Sequence, residues 1–246
     1  MKYLLSFIFL INVNLHAQLI TDRPNQTESP NSVQMGTFQV ETGAGVSYES
    51  TKTKANRQIV LPNALFRYGI SDFVELRIIT NHLINNNNDN TQSGFANTEI
   101  GAKFEIWNSD DDSSTFGMLN HLVLPNGNEA FTSNSYGTVN RLAYSKNINS
   151  RFSVGANVGY QYFGTDEGDI LYTLSFGIAV SDRLSLFVEP YGFVLELQQN
   201  QLSADAGLLY LINDNLQWDV TIGTGIDRTM NFINTGISWR VPFSAN

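Results

Sequence analysis

Leu216-Gln217-Trp218-Asp219-Val220-Thr221-Ile222-Gly223-Thr224-Gly225-Ile226-Asp227 decides the fold of this chain. Trp218, Val220, Ile222, Thr224 and Ile226 stand two residues apart, and Gln217, Asp219, Thr221, Gly223, Gly225 and Asp227 fill the gaps. A period of two belongs to a β-strand, whose successive side chains point to opposite faces. The same alternation returns at 171–180, where Tyr172, Leu174, Phe176, Ile178 and Val180 interleave with Thr173, Ser175, Gly177 and Ala179. It returns again at 37–49, where Phe38, Val40, Ala44, Val46 and Tyr48 interleave with Gln39, Glu41, Gly43, Gly45, Ser47 and Glu49. Helical spacing is not sustained anywhere beyond the first 18 residues. One face of these strands is large and apolar, the other small, polar or charged. In a soluble sandwich the apolar face is the core. In a transmembrane barrel it meets lipid, and the polar face lines the lumen.

The ends of the chain choose between the two. Met1 and Lys2 precede a short apolar run that stops at Leu15, followed by His16-Ala17-Gln18. That run is shorter than the roughly 20 residues a membrane helix needs, so residues 1–17 read as a cleavable export signal. The other end reads Ile237-Ser238-Trp239-Arg240-Val241-Pro242-Phe243, an alternating strand finishing on an aromatic. An export signal ahead of alternating strands, closed by an aromatic-ended strand, marks a bacterial outer-membrane barrel. Mean hydropathy of −0.15 does not oppose this, because barrels hide their apolar surface in alternate residues.

Turn chemistry gives the strand count. Short polar turns at 70–72, 108–114, 147–150, 181–183 and 213–215 alternate with connections at 50–56, 85–94, 125–135, 164–168, 198–200 and 228–231. Five short turns and six longer loops make twelve strands: 37–50, 57–69, 73–84, 95–107, 114–124, 136–146, 152–163, 169–180, 184–197, 201–212, 216–227 and 232–243. The fold expected is therefore all-β: an antiparallel up-and-down barrel over 37–243 with both termini on the periplasmic side. Opposed residues must share a face. A three-residue turn at 213–215 sets Tyr210 against Trp218 and Leu208 against Val220, and the turn at 181–183 sets Ile178 against Leu186. The turn centred on Ser71 sets Arg67 against Glu75 and Leu65 against Arg77. Tyr68, Tyr144, Phe152, Tyr210 and Trp218 near the short turns, with Tyr48, Tyr160 and Tyr172 near the loops, read as two interfacial girdles.

Charges on the polar parity mark the lumen. Arg67, Glu75, Arg77, Glu99, Lys103, Glu105 and Glu189 are the candidate network, with Arg141, Asp205, Asp219 and Arg240 also on that parity. Such a set either selects solute or braces the wall by pairing, because buried charges need partners. Residues 18–36 do not alternate, and Pro24 and Pro30 argue against a central strand there. They form an irregular N-terminal segment: a free tail, or a plug folded into the lumen through Asp22, Arg23 and Glu28.

Other chemistries find no support. A net charge of −9, or −10 once Lys2 leaves, gives no basic footprint for nucleic acid. The absence of cysteine removes thiolate ligands and nucleophiles. No Gly-x-Ser-x-Gly or His-Glu-x-x-His motif is present, and His82 and His121 stand alone. Asp110-Asp111-Asp112 lacks the spaced oxygen ligands of a calcium loop. No enzyme activity, catalytic residue, metal or cofactor is expected.

Thr21-Asp22-Arg23-Pro24 with Thr27-Glu28-Ser29-Pro30, then Gly36-Thr37-Phe38-Gln39-Val40-Glu41-Thr42-Gly43, resembles the opening of a transporter-like outer-membrane family known as "putative MetA-pathway of phenol degradation". Leu65-Phe66-Arg67-Tyr68-Gly69-Ile70-Ser71-Asp72, Glu75-Leu76-Arg77, Glu99-Ile100-Gly101-Ala102-Lys103-Phe104, Leu124-Pro125-Asn126-Gly127 and Leu186-Phe187-Val188-Glu189 extend the likeness over most of the chain. The resemblance implies an outer-membrane channel or transporter and supplies no catalytic residues to carry over. The expectation is thus a narrow channel for small solutes of unknown identity in a Gram-negative outer membrane. Its partners are outer-membrane lipid and, through the C-terminal strand, the barrel-insertion machinery. The alternative is a closed structural or adhesive barrel without transport. An outer-membrane hydrolase and a soluble secreted β-protein are remoter readings.

Overall fold

A computed structural model describes residues 19–51, 55–87, 90–165 and 167–242. The expected signal at 1–17, and Phe243 of the expected last strand, lie outside the described residues. The strands are β1 (Thr37–Ser50), β2 (Ala55–Ser71), β3 (Val74–Asn87), β4 (Asn90–Phe95), β5 (Glu99–Asn108), β6 (Ser114–Val123), β7 (Gly137–Asn147), β8 (Phe152–Tyr162), β9 (Asp169–Ala179), β10 (Leu184–Leu195), β11 (Gln199–Asn213), β12 (Leu216–Gly225) and β13 (Thr229–Pro242). Every paired strand is antiparallel to its neighbour, and β13 returns to β1, so twelve strands close into a ring with β4 as an addition on β3. Thr37 faces Pro242 across that seam, so the ring begins and ends at the short-turn end.

The parity rule holds around most of the ring. On β12, Gln217, Asp219 and Thr221 are buried while Trp218 and Ile222 are exposed. On β9, Thr173 and Ser175 are buried while Leu174, Phe176 and Ile178 are exposed. Polar side chains inside and large apolar ones outside invert the usual arrangement, and only an apolar surrounding makes that stable. Tyr210 faces Trp218, Leu208 faces Val220 and Ile178 faces Leu186, as the turns required.

Three expectations need correction. The β2–β3 hairpin turns at Asp72 and Phe73 with Ser71 facing Val74 and a bulge at Ile70, so Arg67 faces Arg77, Leu65 faces Ile79 and Gly69 faces Glu75. The slip is two residues, which keeps every side chain on its face. The fourth strand, expected unbroken at 95–107, is split into β4 and β5, both paired to β3. Ala96 N still donates to Asn81 O on β3 at 2.9 Å, but Asn97 and Thr98 leave the ladder because the loop after β6 satisfies them instead. Thr98 N donates to Asn126 Oδ1 at 2.9 Å, and Asn97 Oδ1 accepts from Gly127 N at 3.0 Å. The stretch expected as a loop at 85–94 is mostly strand, since β3 runs on to Asn87 to pair with β4.

Candidate functional site

Residues 19–36 run through the barrel interior, touching its wall on many sides. The path is set by backbone groups that wall carboxylates collect. Asp22 N and Arg23 N donate to Glu41 Oε2 on β1 at 3.0 and 2.9 Å. Gln26 N and Thr27 N donate to Glu189 on β10 at 2.7 and 2.6 Å, and the Thr27 hydroxyl donates to the same carboxylate. Glu28 N donates to Asn157 Oδ1 on β8 at 2.7 Å, and Val33 N donates to Glu75 Oε2 on β3 at 2.7 Å. A non-alternating segment cannot join a ladder, so its donors need such partners once buried.

The segment's own charges complete the set. Asp22 accepts from Arg77 Nη1 at 2.6 Å and from Lys103 Nζ at 2.8 Å, with Arg67 Nη1 at 3.6 Å. Glu28 pairs with Arg77 at 2.7 Å and Arg141 at 3.0 Å. Arg67 holds Glu75 through two parallel bonds of 2.8 Å and reaches Glu41 at 2.8 Å. Four carboxylates (Asp22, Glu28, Glu41, Glu75) thus meet four cations (Arg67, Arg77, Lys103, Arg141). Arg67, Glu75, Lys103 and Glu41 are fully buried, a state that charges tolerate only in such a balanced, hydrogen-bonded group. Arg23 stands apart, reaching Asp219 on β12 at 3.3 Å and donating to Asn63 on β2 at 2.7 Å. Glycines make room for it: a Cβ on Gly43 would lie 2.5 Å from Arg23 Nη2, and one on Gly236 would lie 2.6 Å from Arg23 Nε.

The structure therefore brings Arg67, Glu75, Arg77 and Lys103 together with Asp22 and Glu28. Glu99 joins through His121: Arg77 Nε donates to His121 Nε2 at 3.0 Å, which leaves the ring proton on Nδ1, 2.9 Å from Glu99. Glu105 does not join; it accepts from Ser32 N at 3.2 Å and from Asn108. Glu189 lies at a separate place on the wall, and Arg240 serves the turn after β11 through Asn215. Glu41 and His121 were not singled out for the lumen from sequence, although Glu41 sits on the polar parity of its strand. His82 packs edge-on against Phe95. Asp111 closes its turn, where hydrogen bonds from Ser109 and Ser113 hold its carboxyl down at about 2.

The lumen also has an apolar part. Leu119 and Val123 on β6 and Val139 on β7 form a buried cluster inside the ring. On β6, Phe116, Met118 and Leu122 point the other way, so this strand is apolar on both faces.

Solved structures share this architecture. An outer membrane channel of the COG4313 type from Pseudomonas putida F1 is similar over 89% of this chain and 100% of its own, with a TM-score of 0.74 at 11% identity. A KdgM porin solved with disordered oligogalacturonate is similar over 82% of this chain and 98% of its own, with a TM-score of 0.56 at 9% identity. The translocator domain of the autotransporter NalP from Neisseria meningitidis is similar over 85% and 89%, with a TM-score of 0.51 at 10% identity. At these identities the likeness is one of fold. No curated protein matches in sequence. The family model described as "Putative MetA-pathway of phenol degradation" matches residues 21–241, and the chain belongs to this family.

Proposed function

We propose that the protein is an outer-membrane channel for small solutes whose bore is narrowed by residues 19–36. The observation that carries this reading is the polar interior of a twelve-stranded ring, crossed by a segment tied to its wall through Asp22, Arg23 and Glu28. A ring of twelve strands lies between filled eight-stranded barrels and open porins of 16–18 strands. Its interior is wide enough to conduct unless something occupies it. Family membership and a fold shared with proteins described as channels and porins support the same reading. In this scheme residues 1–17 are removed on export, both termini face the periplasm, and β13 presents the insertion signal. The chemistry of transport is passive, and no residue acts as a catalyst.

A closed structural barrel is the second reading, favoured by the dense, charge-balanced packing around Arg67 and Asp22. Single-channel recording in planar bilayers separates the two. The mature protein should show small, brief conductance steps, and removal of residues 19–33 should enlarge them in a barrel that still migrates as folded. Absence of conductance in both forms would establish the closed barrel.

A further inference from the structure

The break between β4 and β5 shapes the loop end of the barrel, because it seats the β6–β7 loop against the gap. Besides the bonds of Asn126 and Gly127, Asn128 Oδ1 accepts from Phe95 N at 2.6 Å, and Asn128 N donates to Phe95 O at 2.8 Å. A single 3₁₀ turn at Glu129–Phe131 follows. Gly164, at φ +88°, lets the β8–β9 loop come close to the same loop, since a Cβ there would lie 2.5 Å from Ser133 Oγ. Between these loops and the wall lies a cavity of about 460 Å³, within the roughly 300–1,000 Å³ usual for small-molecule sites. Phe131, Phe163, Val123, Asn97, Ser133 and Glu99 are among the residues that line it. Glu99 is the one titratable side chain in that lining among the described residues.

Glu99 Oε2 is taken by His121 Nδ1 at 2.9 Å, and Oε1 lies outside that bond. The Glu99 side chain keeps 17% exposure. His121 brings no charge to it. Its Nε2 accepts from Arg77 Nε at 3.0 Å, where a protonated ring would set two donors against each other. The charge of Arg77 is already balanced, since the four cations of its cluster meet four carboxylates. Glu99 is a fifth carboxylate, and among the described residues no lysine or arginine lies within ion-pair distance of it. A mostly buried carboxylate with only a neutral partner is costly unless a positive charge joins it. The cavity offers the place for that charge. Phenyl faces attract cations and also cover hydrocarbon. An anionic solute would be repelled by Glu99, and a neutral one would leave the carboxylate unbalanced.

We propose that this cavity binds a small organic ammonium ion, its nitrogen on Glu99 and its hydrocarbon part against Phe131, Phe163 and Val123. Val123 also belongs to the apolar cluster of the lumen, so the bound ion sits at the entrance to the interior. That the ion then passes through the barrel rests on the channel reading; the binding itself does not.

The test is calorimetric titration of the refolded mature protein in detergent, against a blank of empty micelles. The probes are cyclohexylammonium, cyclohexanol and cyclohexanecarboxylate, which share one ring and differ in charge. The ammonium should bind saturably and at least about tenfold more tightly than the other two. Glu99→Gln keeps an acceptor for His121 and loses only the charge. It should weaken the ammonium at least about tenfold and bring it level with cyclohexanol. Phe163→Ala, at a half-exposed loop position that guards against a folding failure of the first variant, should weaken it several-fold. Asp182→Asn, in a short turn at the opposite end, should change nothing. The proposal is overturned by absence of saturable ammonium binding up to about 10 mM. It is equally overturned if the alcohol or the carboxylate matches the ammonium, or if either cavity variant binds as wild type does. Saturable binding by a protein that conducts nothing in bilayers would uphold the site and defeat the channel reading, and conduction without binding would do the reverse.

Discussion

Asp22 is where the segment and the wall are most strongly joined, so Asp22→Ala is the sharpest perturbation of the interior. The substitution removes contacts of 2.6 Å to Arg77 and 2.8 Å to Lys103, and leaves Lys103 with Glu75 at 3.9 Å as its nearest carboxylate. It also removes the acceptor of Ser29 N, a bond of 3.0 Å that folds the segment on itself. Breaking a buried pair by deleting one partner costs about 3–5 kcal/mol. The wall strands pair with each other without help from Asp22, so the loss falls on the attachment of residues 19–36. At 1.4 kcal/mol per factor of ten, the detached population should rise roughly 100- to 4,000-fold. The assay is limited proteolysis of the folded, heat-modifiable barrel, read at the segment's termini. Cleavage follows the open population when reclosing is faster than cutting. Asp22→Asn, which keeps size and one acceptor, should lie at the low end of that range. High salt should not imitate either variant, because Asp22 is buried and screening acts on exposed charges. A change in cleavage of less than about tenfold, with conductance unaltered and the barrel intact, would show that this cluster does not hold the segment.

The sequence made the ring legible because alternation and turn chemistry are local. Trp218, Val220 and Ile222 point outward whatever lies beside them, and a polar turn at 213–215 leaves one register that keeps both faces intact. The hairpin at Ser71 was less legible. A bulge at Ile70 moves the pairing by two, and a shift of two leaves the face pattern unchanged. Periodicity therefore could not detect it. The split of β4 from β5 depends on Asn126 and Gly127, which are distant in sequence from the strand they interrupt. On β6 the period fails for a different reason: Leu119 and Val123 face the lumen while Leu122 faces outward, so both parities are apolar. Within the site, Arg67, Glu75, Arg77 and Lys103 were readable from parity alone. Glu41 carried the same signal. What parity could not show was the pairing: the four cations of this cluster meet four carboxylates, and two of these, Asp22 and Glu28, come from a segment with no periodicity, whose path is fixed by the wall.

Three further outcomes follow. Leu174→Arg, on the exposed face at mid-strand of β9, should destabilise the barrel by roughly 2–4 kcal/mol in denaturant titrations in lipid, whereas Gln161→Arg, beside Asp169 on the inner face, should cost little; equal damage would contradict the lipid assignment. Arg67→Glu should cost at least 3–5 kcal/mol or so, and adding Glu75→Arg should restore less than half, because the new Glu still meets Glu41 and Asp22; full recovery would mean those contacts carry no weight. Removal of residues 237–246 should abolish barrel assembly. β13 closes the ring, and this truncation unpairs residues 37–42 of β1 and 216–218 of β12 at once. In hydrocarbon each unpaired backbone group costs several kcal/mol. Even a few such groups exceed the roughly 5–15 kcal/mol of net stability of a folded domain. No neighbouring strand can substitute, because β1 and β12 are separated by the width of β13. Heat-modifiable migration and recovery in the membrane fraction report the outcome, and a truncated chain that keeps both would show that closure does not depend on this strand.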